Sequence, residues 1–180
     1  MIKINQDENI KKPHISYNSK NNEWYTPAKY IEAVTRVMGV IDLDPASNEI
    51  ANKTVQAGTY YSIDNDGLSK EWRGRVFMNP PYSRDLLPKF VDKLIYHLKS
   101  GDVQEAIILV NNATETNWFN SLIGIASAII FPSSRVKYYM PDGKTGTPLQ
   151  GQAFIYIGRQ KELFFQEFSK FGWCAYPNAK

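Results

Sequence analysis

Residues 106–110 (AIILV) form an unbroken apolar run of strand length, entered from a turn at Gly101-Asp102. A strand that is apolar on both faces must be covered on both, as in the middle of a parallel sheet flanked by helices. The rest of the chain supplies the covering elements in alternation. Helical spacing of apolar residues runs through 27–38 (Tyr30, Ile31, Val34, Val37, Met38), 85–98 (Leu86, Leu87, Phe90, Leu94, Leu98), 114–124 (Trp118, Phe119, Leu122, Ile123) and 162–171 (Phe164, Phe165, Phe168, Phe171). Strand patterns fall at 40–44, 59–62, 75–78, 128–131, 135–139 and 152–157. Thr26-Pro27 reads as a helix start, with Thr26 as N-cap and Pro27 at the first helical position. Residues 45–58 are polar and carry no clear period. Alternating strands and helices predict an α/β layered sheet, in which ligands sit outside the carboxyl ends of the strands.

The chain of 180 residues is the size of one domain. Its 4 Trp, 11 Tyr and 9 Phe are far too many for a disordered chain. Residues 1–22 lack periodicity and read as a loose N-terminal arm, leaving one domain over 23–180 without a separate large recognition domain. No apolar run approaches the ~18–20 residues of a membrane span, and the N-terminus has no apolar signal core. The single cysteine, Cys174, allows no internal disulfide and no multi-cysteine zinc site. These features predict a cytoplasmic protein with no membrane partner. The net charge of +3 is mildly basic and compatible with a polyanionic partner.

Several motifs fail on inspection. Gly143-Lys144-Thr145 ends like a phosphate loop, but the required upstream glycine is Tyr138 and no helix can follow through Pro148. His14 and His97 have no partner spacing for a metal. Asp42 and Asp44 share a face if 40–44 is a strand, but a metal site needs further acidic ligands that the sequence does not place; none is assigned.

Two strand ends carry unusual residues: Asp44-Pro45-Ala46-Ser47 and Asn79-Pro80-Pro81-Tyr82. The second tetrapeptide arises by chance in a chain of this length on the order of once per thousand sequences. Its prolines end the strand 75–78 and leave a stretch rich in acceptors and poor in donors. An exocyclic amine on an aromatic ring is a poor nucleophile, because its lone pair is delocalised. The Asn79 amide oxygen and the Pro80 carbonyl can each accept one of its N–H groups, drawing the nitrogen toward tetrahedral geometry. Stiff prolines fix both acceptors in advance, and the Tyr82 ring can stack on the base.

Asn-Pro-Pro-Tyr after a strand resembles the catalytic signature of S-adenosylmethionine-dependent amino-methyltransferases. The ordered set is wider: Trp24-Tyr25-Thr26-Pro27; Asp44-Pro45-Ala46-Ser47; Asp66-Gly67-Leu68 with Trp72; Asn79-Pro80-Pro81-Tyr82; Asn111-Asn112 with Trp118-Phe119; Arg135-Val136-Lys137-Tyr138; Pro148-Leu149-Gln150-Gly151-Gln152. In this order the chain resembles the compact phage-encoded Dam-type DNA N6-adenine methyltransferases over about residues 23–172.

The resemblance implies a Rossmann-like methyltransferase fold, a mostly parallel sheet with helices on both faces and an antiparallel strand near the C-terminus. It implies that Trp24, Thr26, Pro27, Asp44, Pro45, Ala46, Ser47, Asp66 and Asn79 bind S-adenosylmethionine, with Asp66 recognising its adenine. Asn79, Pro80, Pro81 and Tyr82 would carry catalysis. Where larger relatives have glycines in the first loop, this chain has Ala46-Ser47-Asn48. Candidate DNA contacts are Arg84, Lys89, Arg135, Lys137, Tyr138 and Lys144; the resemblance also implies that Lys137-Tyr138 lines the pocket from the far side. The implied reaction is methyl transfer to N6 of a flipped-out adenine in double-stranded DNA, at a short palindrome such as GATC. The sulfonium already carries its leaving group, so the reaction needs neither metal nor covalent enzyme intermediate. The protein would act as a monomer or weak dimer without an obligate protein partner, in the bacterial host cytoplasm if phage-encoded. Two other readings stand beside it: a methyltransferase for another planar amine (RNA adenine or protein glutamine), and a metal-dependent nuclease or DNA-binding module built on Asp42 and Asp44.

Overall fold

The structure is a computed structural model that describes residues 24–140 and 144–177; the arm expected over 1–22 lies outside them. In chain order the elements are α1 (Ala28–Met38), β1 (Leu43–Asp44), α2 (Glu49–Val55), β2 (Thr59–Tyr60), β3 (Gly74–Met78), α3 (Leu87–Ser100), β4 (Val103–Asn111), α4 (Asn117–Ile123), β5 (Ala128–Pro132), β6 (Tyr138–Tyr139), β7 (Thr145–Gly146), β8 (Gln152–Ile157), α5 (Lys161–Phe168) and β9 (Gly172–Ala175). A short 3-10 turn, Gly67–Ser69, stands between β2 and β3.

The apolar run lies within β4, fourth in a seven-stranded sheet ordered β2-β1-β3-β4-β8-β5-β9. The strands β2, β1, β3 and β4 are mutually parallel. β8 runs antiparallel between β4 and β5, and β9 pairs antiparallel outside β5. The fold is therefore Rossmann-like α/β with a mostly parallel sheet, as expected, and two strands rather than one run against the rest.

Strand alternation sorts the core into two layers. Phe77, Ile107, Leu109, Phe154 and Tyr156 face α1 and α5, where Tyr30, Val34, Phe164 and Phe168 bury against them. Val76, Met78, Ile108, Val110 and Ile155 face α3 and α4, against Phe90, Val91, Leu94, Phe119 and Leu122. Each such side chain, fully buried, contributes roughly 1.5–3 kcal/mol. Among the described residues no helix is long and apolar enough to cross a membrane.

Four local expectations are corrected. Pro27, not Thr26, holds the cap position of α1, in extended conformation and without a side-chain cap. The Thr26 hydroxyl instead accepts a hydrogen bond from Asn79 Nδ2. The patternless stretch after Pro45 contains α2, which buries one residue, Val55, and is capped by Asn48 accepting from the Ala51 N–H. Of the strand expected at 135–139, just Tyr138 and Tyr139 pair, in a hairpin with β7 outside the main sheet. The edge strand β9 was not expected: it begins directly after the helical pattern that ends at Phe171, and its four residues are too few to show an alternation.

Candidate active site

Strand order reverses at β1, whose neighbours are β2 on one side and β3 on the other. The chain leaves the carboxyl ends of β1 and β3 in opposite directions and opens a crevice between them. A cavity of about 400 Å³ occupies it. Three loops and the segment at Trp24 wall it.

The first loop follows β1. Asp44 is 3% exposed, and its Oδ1 accepts the Ala46 N–H at 3.3 Å. Burial pushes its carboxyl up to about 7, opposed by that amide and by the Ser47 hydroxyl close by. The Ser47 Oγ is itself buried without a hydrogen bond of full geometry. The Ser47 N–H donates to the Tyr61 carbonyl and the Tyr61 N–H to the Asp44 carbonyl, which ties the end of β2 to this loop.

The second loop carries Asp66, held at φ 47° with its side chain accepting from the Leu68 N–H. The next residue must be glycine, because a Cβ on Gly67 would lie 2.1 Å from the Pro45 carbonyl oxygen. The buried Trp72 indole N–H donates to the Gly67 carbonyl at 2.8 Å and so pins this turn against the cavity. That bond accounts for Trp72 in the ordered motif set.

The third loop is Asn79-Pro80-Pro81-Tyr82. Tyr25 and Tyr139 exchange backbone hydrogen bonds of 2.9 and 3.0 Å, which lays the N-terminal segment over this loop. The Trp24 carbonyl there accepts from Asn79 Nδ2 at 2.9 Å. A carbonyl can only accept, so the Asn79 nitrogen must face it and the amide oxygen must face the other way. Asn79 Oδ1 accepts from the Tyr82 hydroxyl at 2.9 Å. The amide is held at both ends, and one lone pair of Oδ1 remains for a further donor. Asn79 is half-buried and lines the cavity.

Trp24, Thr26, Asp44, Pro45, Ala46, Ser47, Asp66 and Asn79 to Tyr82 all line one cavity, although they span 59 residues of sequence. Pro27 does not; it caps α1 behind the wall. Tyr61, Leu68, Phe77 and Phe90 also line it and were missed. Tyr61 had a readable signal, since it follows a strand end; Phe77 and Phe90 read simply as core. The described lining holds two carboxylates, Asp44 and Asp66, and no Lys, Arg or His. Such a wall repels phosphate and suits a cationic ligand with aromatic and hydroxyl groups.

The basic candidates lie elsewhere. Arg84, Lys89, Arg135, Lys137 and Lys144 are exposed. Tyr138 is not a surface residue as expected: it is fully buried, with its ring edge-on to Trp24 and its hydroxyl 3.1 Å from that of Tyr82. The paired-carboxylate reading also meets a difficulty. The Asp42 carboxylate accepts from the Arg75 backbone N–H at 2.8 Å and from its guanidinium at 2.9 Å, away from Asp44 in the cavity. Among the described residues no group of three His, Cys, Asp or Glu is placed to hold a metal.

Comparison with known proteins fits this geometry. No curated protein matches the chain. A crystal structure of the 23S rRNA methyltransferase ErmE is similar at 10% identity and a TM-score of 0.45, over 75% of this chain and 69% of that one. Residues 14–160 match the DNA N-6-adenine-methyltransferase (Dam) family, a span that includes every loop of the cavity. The chain therefore belongs to that family, and it is an adenine-N6 methyltransferase of the S-adenosylmethionine type.

Proposed function

We propose that the protein methylates N6 of adenine in double-stranded DNA, on a base rotated out of the helix into the mouth of the cavity. The observation that carries this reading is the clamped Asn79 amide, with one acceptor lone pair left at the edge of a cavity whose described lining holds no basic residue.

The cavity residues fit the methyl donor. Asp44 offers a carboxylate to a positive charge of S-adenosylmethionine and Asp66 an acceptor to its adenine amine, the Ser47 hydroxyl beside Asp44 lacks a well-formed hydrogen bond and can take a polar partner, and Tyr61, Phe77 and Phe90 offer aromatic walls. When bound, this cofactor supplies a methyl group on a positively charged sulfur. The base amine would donate one N–H to Asn79 Oδ1 and the other to the Pro80 carbonyl, which would draw its nitrogen toward tetrahedral geometry and free its lone pair for attack. The new N–C bond would form at the expense of the cofactor's S–C bond, whose electron pair would stay on sulfur. One amine proton leaves afterwards to solvent, so no strong base is required.

N6 of a paired adenine is buried in the duplex, so the base must leave the stack. The exposed Arg84, Lys89, Arg135 and Lys137 make no ion pair among the described residues, and with Lys144 they offer a surface for backbone phosphates. A short palindrome such as GATC is the proposed site.

The test is radiolabelled methyl transfer to bacterial DNA lacking adenine methylation, followed by digestion to nucleosides. RNA and protein compete in parallel. Label in N6-methyl-2'-deoxyadenosine from duplex DNA, with loss of cutting by an endonuclease blocked by adenine methylation at GATC, is expected. Transfer to RNA or protein alone overturns the choice of acceptor, and label in N6-methyladenine away from GATC overturns the site.

A further inference from the structure

The Tyr82 hydroxyl stands at a junction. It meets Asn79 Oδ1 at 2.9 Å, the Leu109 carbonyl at 3.2 Å and the Tyr138 hydroxyl at 3.1 Å. With one proton, it serves one acceptor well at a time. Tyr138 is fully buried, and among the described residues its hydroxyl has Tyr82 as its one hydrogen-bond partner. A buried phenol proton needs an acceptor. Tyr138 therefore donates to Tyr82, and the Tyr82 proton is turned away from Tyr138, toward Asn79 and Leu109. Burial holds both phenols well above their ordinary range, so both stay protonated at working pH.

We propose that Tyr138 is a positioning residue for methyl transfer: acting through the Tyr82 hydroxyl, it fixes the plane of the Asn79 amide and the direction of its free lone pair. This rests on the assignment of Asn79 as the acceptor of the substrate amine. The same residues close a ring around the site. The Trp24 ring packs edge-on against Tyr138 with centroids 5.6 Å apart, while the Trp24 carbonyl holds Asn79 Nδ2. The β6–β7 hairpin thus braces the catalytic loop from below, and the motif position that reads as a DNA contact serves alignment. Without the Tyr138 hydroxyl, Tyr82 can turn its proton to Leu109 or inward, and the amide, still held at its nitrogen by the Trp24 carbonyl, loses the hold on its oxygen.

The experiment is a cycle of Tyr82→Phe, Tyr138→Phe and the double variant. It reads kcat, KM for the methyl acceptor, equilibrium affinity for S-adenosylmethionine, and melting temperature. Tyr138→Phe keeps the ring in the core. It is expected to lower kcat by ~10-fold, the scale of a small misplacement, with KM and cofactor affinity within about twofold of the parent. In the Tyr82→Phe background the same change is expected to cost less than about twofold, because the residue it acts through is gone. A Tyr138→Phe kcat within about twofold of the parent overturns the proposal, as does a double variant whose losses multiply or a loss confined to cofactor affinity. The step between Tyr82→Phe and the double variant keeps the test valid where melting temperatures fall, with rates taken by single turnover well below them. The cycle is read on whichever amine accepts the methyl group, so a wrong choice of nucleic acid and a wrong role for Tyr138 give different results.

Discussion

Replacing Asp44 by Asn separates what this residue does for stability from what it does for the ligand. In the unfolded chain the carboxyl ionises near its ordinary value of 3.8; in the folded chain burial raises that to about 7. Between those values the folded state holds a proton that the unfolded state has lost. Stability therefore falls as pH rises from about 4 to 7, and the full loss persists above 7. At roughly 1.4 kcal/mol per pH step this amounts to a ceiling of about 4 kcal/mol. Asn keeps the oxygen that accepts the Ala46 N–H but brings an amide N–H₂ needing its own partner, which returns part of the gain. A net stabilisation of roughly 2 kcal/mol at pH 8 remains, or about 4–8 °C in melting temperature for a domain of this size. The assay is thermal unfolding of both proteins without cofactor from pH 4 to 8, with S-adenosylmethionine titrations beside it. The variant should lie roughly 2 kcal/mol below the parent near pH 4, where the unpaired amide costs stability and the carboxyl is still protonated, cross it as pH rises toward 7, exceed it at pH 8, and bind the cationic cofactor at least ~10-fold more weakly. Such opposition of stability and binding is common at functional sites. A variant less stable than the parent at pH 8, or a gain independent of pH, refutes the reasoning.

Two other outcomes follow from the geometry. Trp72→Phe removes the indole donor to the Gly67 carbonyl and should cost roughly 1–3 kcal/mol in denaturant unfolding; cofactor affinity should fall with it, because the Asp66 turn loses its pin. Arg84→Ala and Lys137→Ala should each weaken DNA binding evenly across sequences and reduce the slope of log affinity against log salt by about 1, measured by fluorescence anisotropy; unchanged slopes in both would remove these residues from the DNA surface.

The two strand ends that wall the cavity were legible in the sequence because proline cannot continue a sheet, so Pro45 and Pro80 mark where strands stop and loops begin. The run 106–110 was legible because a strand buried on both faces needs no alternation. α2 was not, since it buries one side chain and leaves no periodic stripe; its Asn48 cap was the sole local signal. The sequence left Tyr138 between a DNA contact and the far wall of the pocket because its neighbours Arg135 and Lys137 are exposed, and a tyrosine among cations carries no local sign of burial. Its burial comes from Trp24 and Tyr82, 114 and 56 residues away in the chain. Thr26 was assigned to the helix cap because local chemistry favours it there. The competing Asn79 amide lies 53 residues away, and no local rule reveals it.

The central claim is that the Asn79 amide oxygen activates the target amine. It is tested most directly by comparing Asn79→Ala with the parent in single-turnover methyl transfer, with cofactor affinity measured on the same preparations. A loss of ~10² or more in the methyl-transfer rate, with cofactor affinity closer to intact, is the predicted result. Full transfer activity in the variant would contradict the account.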